Sequence, residues 1–241
     1  MIEVIHTGPF SVNTLAVSVG KNNVFAVDPA CCAFCGDEMV FVDYLKKNNL
    51  DCAAIVLTHG HFDHVAGVKV LKKFYPDAPV LIHENDSNFI GSNSEQSHRK
   101  ILSMMGAESF LPSVSCLPPA DSFLKDKKTL LDSIKSASNS KDNCFSGILA
   151  DEELCSSFAE WQVISTPGHT FGSVCLYNSK EKILLSGDTL FFGNFGRTDL
   201  GGNELQLMES LSMLKRIIPP DTKVYPGHDY TGFSFSKGFP F

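Results

Sequence analysis

The sequence predicts an α/β fold in which two sheets pack face to face and helices cover the outer faces. Two stretches of the chain, residues 1–82 and 161–228, each begin with short strands rich in Val, Ile and Phe and then gain helices. Elements with one apolar face bury that face by stacking in layers. The length of 241 residues is ordinary for a single domain of this kind, and we expect one domain over residues 1–241.

The first block contains strands separated by Gly, Pro or Asn turns, and two helices between them. Apolar residues recur on one side of each helix, as Val40, Tyr44 and Leu45 do in the first. The run before the second helix is short and continuously apolar, which is typical of a buried strand. The predicted elements, in order, are strands Met1–His6, Val12–Val19 and Val24–Asp28, helix Gly36–Asn48, strand Ala53–Leu57, helix His64–Phe74 and strand Pro79–Ile82.

The second block begins at Trp161. Its helix has Leu207, Leu211 and Leu214 at helical spacing, and a short apolar strand precedes Pro226-Gly227-His228. The predicted elements are strands Trp161–Ser165, Ser173–Tyr177 and Lys182–Leu185, helix Glu204–Ile217 and strand Lys223–Tyr225.

The middle of the chain, residues 86–160, is predicted to be an insertion between the two blocks. Glu95–Met105 has a helical pattern, and three prolines interrupt Ser109–Ala120. Lys125–Glu153 is dominated by Ser, Asn, Lys and Asp. We expect that last segment to lie on the surface with one short helix or hairpin.

Composition limits the classes of partner. The formal net charge of −7 argues against general nucleic-acid binding, which depends on Lys and Arg. The N-terminus lacks a secretory pattern, and no apolar run is long enough to cross a membrane. We therefore expect a cytoplasmic protein that acts on a small molecule, with no membrane or nucleic-acid partner; the sequence does not indicate an oligomeric state.

Eight cysteines are present, and three of them, Cys31, Cys32 and Cys35, form a cluster with one CxxC. This pair fits a redox site or half of a zinc site. Because no second CxxC completes a four-cysteine site, free thiols in a loop are the favoured interpretation. The isolated histidines His6, His83 and His98 are assigned to structure or surface.

The segment Thr58-His59-Gly60-His61-Phe62-Asp63-His64 carries the strongest chemical signal. Three histidines and an aspartate follow a buried strand directly, at the point where a helix begins. Alternation along an extended chain puts His59, His61 and Asp63 on one side, and the turn into the helix can bring His64 to the same point. Imidazole and carboxylate at this spacing indicate a metal site far more strongly than a lone histidine does.

This motif resembles the signature of the metallo-β-lactamase superfamily. Three later segments resemble that family's remaining motifs in the same order: Thr166-Pro167-Gly168-His169-Thr170, Leu185-Ser186-Gly187-Asp188-Thr189 and Pro226-Gly227-His228. The resemblance implies a four-layer αββα sandwich. It also implies two divalent metal ions, with zinc favoured and iron or manganese as alternatives.

The resemblance assigns a role to each ligand. His59, His61 and His169 would bind the first ion, Asp63, His64 and His228 the second, and Asp188 would bridge them. Asp63 and Asp188 would serve catalysis by holding metal and solvent. Four further residues are expected to support the ligands from behind, namely Asp28, Thr170, Arg197 and Asp199. We expect Arg197 and Asp199 to form a buried or half-buried ion pair that holds a loop near the metals.

The segment Gly196-Arg197-Thr198-Asp199, followed by Gly201-Gly202, resembles the hydroxyacylglutathione hydrolase (glyoxalase II) branch of the family. This resemblance implies a thioester or related ester hydrolase, in which a hydroxide held by the metals attacks the carbonyl. Full glyoxalase II enzymes grip glutathione with a helical C-terminal domain, whereas this sequence ends soon after His228, so a smaller or different ester is equally expected. The alternatives are an oxidoreductase resembling the mononuclear-iron persulfide dioxygenases and a phosphodiesterase on the same fold.

Overall fold

The first half of the chain folds into a six-stranded sheet, as seen in a computed structural model that describes residues 1–137 and 143–239. Its spatial order follows the sequence, and the first three strands are antiparallel neighbours whereas the third to the sixth run parallel. The strands are β1 (Ile2–Thr7), β2 (Val12–Val19), β3 (Asn23–Val27), β4 (Asp51–Val56), β5 (Val80–His83) and β6 (Ser122–Leu124).

The second half forms another sheet and a small hairpin. The strands are β7 (Trp161–Ser165), β8 (Val174–Asn178), β9 (Ile183–Gly187), β10 (Leu190–Phe191), β11 (Asn194–Phe195), β12 (Lys223–Pro226) and β13 (Phe233–Ser234). The sheet has the order β13-β12-β9-β8-β7, and β10 pairs with β11 outside it. Because β9 and β12 are parallel, their carboxyl ends lie at the same edge.

Helices lie outside both sheets. Those of the described residues are α1 (Val40–Lys47), α2 (Phe62–Val65), α3 (Val68–Phe74), α4 (Ser94–Met105), α5 (Leu111–Val114), α6 (Leu130–Ala137), α7 (Ser146–Ala150), α8 (Glu152–Ala159) and α9 (Glu204–Ile217). None of them is long and apolar enough to span a membrane, over the part of the chain that the structure describes.

Three apolar clusters define the four layers. Alternate residues of β4 point to opposite faces, so Ile55 packs against the helices α1 and α3, whereas Val56 packs between the sheets. The outer face of the second sheet, including Val224, packs against Leu211 of α9. The αββα arrangement and the α/β class are therefore confirmed. The extent of the single domain over residues 1–241 stays a prediction.

Two predicted helices have different limits in the structure. The predicted helix Gly36–Asn48 begins only at Val40, because Gly36 has φ 72° and ends a short 3₁₀ helix, Ala33–Cys35. The predicted helix His64–Phe74 is two helices that meet at Gly67. A side chain at Gly67 would collide with Cys31 and Pro29. The absence of a side chain at this position therefore lets the junction of α2 and α3 pack against the loop that follows β3.

The segment Lys125–Glu153 contains more helix and more buried side chains than the predicted single surface helix or hairpin, whereas its assignment as an insertion stays a prediction. That segment contributes α6, α7 and the start of α8, although residues 138–142 lie outside the described part. Leu130, Ile134 and Phe145 are buried in the cluster between the sheets. A cleft lined by Asn23, Asp51 and Cys144 lies beside α7, at the amino ends of β3 and β4. This segment therefore closes the core away from the carboxyl ends of the parallel strands.

Candidate metal centre

The predicted ligands all lie in segments that follow strands. His59 and His61 come after β4, Asp63 and His64 lie in α2, and His169 lies in the β7–β8 connection. Asp188 follows β9 and His228 follows β12, and the parallel pairing of these two strands sets both side chains at one edge of the second sheet.

Backbone hydrogen bonds join the two sheets at this edge. The Asn13 N–H donates to the carbonyl of Gly227 at 2.7 Å, and the Val174 N–H donates to the carbonyl of Thr58 at 2.9 Å. The Gly227 N–H donates to the carbonyl of Gly187 at 2.8 Å. Hydrogen bonds of the main chain alone therefore connect the loops that carry the ligands.

The structure brings the ligands together in two groups. One donor atom from each of His59, His61 and His169 lies within 4.8 Å of the others, and the same is true of Asp63, His64 and His228. Within the second group, Nε2 of His228 lies 3.4 Å from Oδ2 of Asp63. Each group has the size and the donor chemistry of one metal-binding site.

Asp188 lies between the two groups. Its Oδ2 is 3.5 Å from Nε2 of His169 in the first group and 3.5 Å from Nε2 of His228 in the second. Its Oδ1 is 3.5 Å from Nε2 of His64. One carboxylate therefore faces both groups, which is the position that a bridging ligand requires.

Hydrogen bonds behind His64 and His59 orient both rings through a single carboxylate. Nδ1 of His64 lies 3.0 Å from Oδ2 of Asp28, and an N–H must donate here because the carboxylate only accepts. The Thr58 hydroxyl donates to the same oxygen at 2.6 Å, so its lone pair accepts from Nδ1–H of His59 at 3.1 Å. With Nδ1–H committed to these bonds, Nε2 is the atom that each ring directs to the centre and that a cation would bind.

Backbone carbonyls orient two other histidines in the same way. Nδ1–H of His169 donates to the carbonyl of Arg197 at 2.6 Å, and Nδ1–H of His228 donates to the carbonyl of Phe10 at 3.2 Å. In both rings Nε2 is left with its lone pair toward the other ligands. The protein therefore fixes the tautomer that metal coordination needs in four of the five histidines.

The donor atoms fit a pair of cations. Nε2 of His59 and Oδ1 of Asp188 are buried and have no hydrogen-bond partner, and the same holds for Nε2 of His61. Nδ1 of His61 also faces Nε2 of His169 at 2.8 Å, although Nε2 of His169 carries no proton by the argument above. Buried acceptors that point at each other are costly unless a cation or a proton lies among them.

The pKa values follow from burial and from the mixture of charges. Burial, together with the neighbouring imidazoles, holds the pKa of His59 well below its usual range and lowers the pKa of His61 to about 3. Burial opposes ionisation of Asp188, but His64 beside it holds the pKa of that carboxyl well below its usual range. His64 has its pKa raised in turn, because Asp188 and Asp63 outweigh its burial. A bound cation would take the place of the His64 proton.

The supporting residues differ in how they act. Asp28 contacts His64 directly, as described above. Thr170 donates to Oδ2 of Asp86 at 2.7 Å rather than to a ligand. Arg197 and Asp199 form a bidentate ion pair, but their side chains are 54% and 65% exposed, so the expected buried or half-buried pair was wrong. The Arg197 carbonyl, which accepts from His169, holds the loop near the predicted ligands, and its guanidinium does not contact them.

Asp86 is a supporting residue that the sequence did not reveal. This buried carboxylate accepts from the N–H of Gly60 at 2.8 Å, the N–H of Gly172 at 2.8 Å and the hydroxyl of Thr170. It thereby connects the loop of His59 and His61 to the loop of His169. Its position after β5, next to a strand end, was the available signal, since Asp86 follows the predicted strand Pro79–Ile82 closely.

The cysteine cluster lies apart from the ligands. Cys31, Cys32 and Cys35 are free thiols. Donor atoms of Cys32, Cys35 and Asp37 lie within 4.8 Å of one another, but the Asp37 oxygens already accept from the N–H groups of Cys32 and Gly8. Burial raises the pKa of Cys31 to about 12, which leaves its thiol protonated.

Comparison with known proteins agrees with this geometry. The family model of the metallo-beta-lactamase superfamily matches residues 7–136 and 150–228. A hydroxyacylglutathione hydrolase of Bdellovibrio bacteriovorus is 32% identical over 86% of this chain, and the chain spans only 58% of the length of that relative.

Two solved structures are similar over nearly their whole length. BLEG-1, a B3 metallo-beta-lactamase, has a TM-score of 0.74 at 26% identity, covering 98% of this chain and 95% of its own. TTHA1623 in a di-iron-bound form has a TM-score of 0.73 at 25% identity, covering 99% and 98%. The relatives named as hydrolases support a metal-dependent hydrolase. The matched length and the ordered motifs together show that the chain belongs to the metallo-beta-lactamase superfamily.

Proposed function

We propose that this protein is a dinuclear-metal hydrolase that cleaves a thioester or a related ester of a small molecule. The observation that carries the proposal is the position of Asp188, whose carboxylate faces both groups of ligands at 3.5 Å. If the protein bound one ion at His59, His61 and His169, the converging donor atoms of the second group would have no ion to bind. The hydroxyacylglutathione hydrolase relative supports the thioester class.

The site residues have separate roles in binding the ions and in orienting the ligands. When bound, two divalent ions, zinc in our proposal, polarise a carbonyl oxygen and lower the pKa of water. Asp63 and Asp188 supply the negative charge that holds such ions. Asp28 keeps His59 and His64 in the coordinating tautomer through its contacts with Thr58 and His64. A thiolate leaves readily, so the chain needs no strong acid to protonate the leaving group of a thioester.

The open side of the site is a cavity of about 420 Å³ that is lined by His61, Asp63, His169, Asp188 and His228. This volume suits a small molecule. Because both ligand groups line the cavity, the reactive group of a bound molecule can lie against both of them. A nucleic-acid substrate is disfavoured by the net charge of −7. The proposal therefore assigns a small-molecule substrate.

The deciding experiment combines metal analysis with hydrolysis assays. We expect two metal ions per chain in the purified protein and turnover of S-D-lactoylglutathione or of simpler thioesters. A β-lactam and a phosphodiester serve as comparison substrates, and oxygen uptake with a persulfide tests the oxidoreductase alternative. One iron per chain with oxygen consumption would replace the proposal.

Two variants test the role of the ligands. Asp188→Ala and His61→Ala are each expected to lose bound metal and to lower turnover by about 10³-fold or more, because metal ions contribute several kcal/mol to such barriers. Asp221→Ala, which removes an exposed partner of Lys182 far from the site, is the matched control. Full turnover in either ligand variant would contradict the mechanism.

A further inference from the structure

The walls of the active-site cavity are largely apolar on the side of the second ligand group. Phe10 and Phe191 both lie beside His228: the Phe10 carbonyl accepts from its ring, and the Phe191 ring centre is 6.3 Å from the imidazole centre. Phe62, next to His61 in the chain, packs edge to face against Phe10 with ring centres 5.9 Å apart. Three aromatic rings thus border the space beside the reactive centre.

Met105, Leu200 and Arg197 also line the cavity. Leu200 is almost fully buried and packs with the helices that cover the first sheet. Met105 ends α4 and packs partly against the same cluster. Over the described residues, the cavity lining therefore includes five apolar side chains beside the predicted ligands.

The charges of the cavity do not suit a thiol that carries two carboxylates. Among the described residues that line it, the one Lys or Arg is Arg197, and Asp199 accepts from Nε and Nη2 along one edge of its guanidinium at 2.6 and 2.5 Å, so a carboxylate of the protein already balances its charge. Asp229 adds a carboxylate to the lining. Glutathione carries carboxylates at both ends, and recognition of carboxylates generally uses a free Arg or Lys.

From these observations we infer that the substrate is a thioester or ester with an apolar, uncharged group next to the scissile carbonyl, rather than a glutathione conjugate. This inference rests on the proposed function and narrows its substrate class. Burial of apolar area, not charge pairing, would supply the binding energy. Each added methylene that enters the cavity would then contribute about 0.8 kcal/mol, or roughly 3- to 4-fold in kcat/KM.

The test uses the metal-loaded protein and two substrate series. In the first, acyl groups from acetyl to hexanoyl are joined to N-acetylcysteamine, a small neutral thiol. We expect kcat/KM to rise about 3- to 4-fold per methylene until the cavity is filled. In the second, a lactoyl group is joined to N-acetylcysteamine or to glutathione, and we expect the glutathione thioester to be no better than the neutral one.

Matched variants locate the apolar contact. Phe10 and Phe192 are equally exposed, at 50% and 51%, but only Phe10 lines the cavity. Phe10→Ala is expected to lower kcat/KM for the hexanoyl thioester about 10-fold and to have a much smaller effect on the acetyl thioester. Phe192→Ala should leave both unchanged. On α4, Met105→Ala and Met104→Ala form a second pair, since Met105 lines this cavity and Met104 lines a different one.

Leu200 also lines a second cavity, and Lys100 lies in the lining of that cavity. A Lys100 variant therefore tests the alternative, in which the glutathione part of a substrate is recognised there. If kcat/KM is independent of acyl length, or if the glutathione thioester is preferred at least 10-fold and Lys100→Ala removes that preference, the inference is wrong while the hydrolase proposal stands. If the metal-loaded protein cleaves no thioester or ester of either series, the proposed function fails and the inference fails with it. A length-dependent rise that Phe10→Ala abolishes supports both.

Discussion

At the scale of single residues, Asp28 does the most to prepare the site. Its backbone has φ 49°, a left-handed conformation that non-glycine residues seldom adopt. In this conformation one carboxylate accepts from the Thr58 N–H, the Thr58 hydroxyl and Nδ1–H of His64. A single side chain therefore sets the orientation of two ligands, His59 and His64, although it touches only one of them.

We expect Asp28→Asn to weaken metal binding by about 10- to 100-fold, the usual effect of losing a partner of a ligand histidine. The reason is that asparagine has one acceptor oxygen and must turn an N–H toward a donor of Thr58 or His64. Competition with a chromogenic chelator measures the affinity. Asp199→Asn, which removes the charge of an exposed residue, is the control, and equal affinity in both variants would contradict the assigned role of Asp28.

At the scale of elements, the loop after β4 and the loop between β7 and β8 depend on Asp86. These loops come from different sheets, and the residues that Asp86 contacts, Gly60, Thr170 and Gly172, are widely separated in sequence. Burial raises the pKa of this carboxyl, although the hydrogen bonds from Thr170, Gly60 and Gly172 oppose that shift. The close approach also requires Gly172, because a side chain there would collide with Asp86.

Asp86→Ala is expected to lower the free energy of unfolding by about 2–4 kcal/mol, since it leaves the buried N–H groups of Gly60 and Gly172 without an acceptor. Urea unfolding of the metal-free proteins measures this, so that loss of metal does not contribute. Asp221→Ala, at an exposed ion pair, should change the same quantity by less than about 0.5 kcal/mol. A loss below about 1 kcal/mol for Asp86→Ala would show that the two loops do not depend on this residue.

Helix α4 is tied to the chain beside the site through His98. Nε2 of His98 donates to the carbonyl of Phe89 at 2.8 Å, and the Phe89 ring contacts the ring of His61. Nδ1 of His98 is buried without a partner. Burial lowers the pKa of this imidazole to about 4, so the prediction of a structural or surface role is met by a buried, neutral histidine.

The pH dependence of stability follows from that pKa. Between pH 6.5 and 4 the unfolded chain binds a proton at His98 and the folded chain does not, so lowering the pH favours unfolding. For the metal-free protein we expect this group to remove about 3 kcal/mol of stability by pH 4. Unfolding of wild type and His98→Gln across this range measures it. Parallel pH curves for the two proteins would contradict the expectation.

At the scale of the whole molecule, the two sheets meet where the ligands lie, so bound metal should stabilise the entire fold. Each ion present at about 1,000 times its Kd contributes about 4 kcal/mol. Removal of both ions by a chelator should then lower Tm by at least about 10 °C, and added zinc should restore it. Calorimetry with and without chelator checks this. An unchanged Tm after complete metal removal would contradict preferential binding of the ions to the folded chain.

How much of this molecule could be predicted differs from segment to segment. The strands around His59 and Asp188 were predictable because apolar runs and ligand residues are adjacent in the chain. The segment Lys125–Glu153 was not, because its apolar residues, such as Leu130, Ile134 and Ile148, are outnumbered by Ser, Asn and Lys. Their spacing places them on one face of short helices, and only the packing between two sheets shows which face is buried.

The sequence by itself determined the fold class, the two blocks of strands and helices, and four candidate ligands in the segment from His59 to His64, since these depend on residue type and local spacing. The resemblance of its motifs to the family added His169, Asp188 and His228 to the candidates. The tertiary structure decided which nitrogen each of four histidines presents, that the Arg197–Asp199 pair is exposed, and that Asp86 joins two loops. These features depend on contacts between residues that lie far apart along the chain, such as Phe10 with His228. Local patterns contain no information about such distances, and the folded chain fixes them through the packing of its sheets.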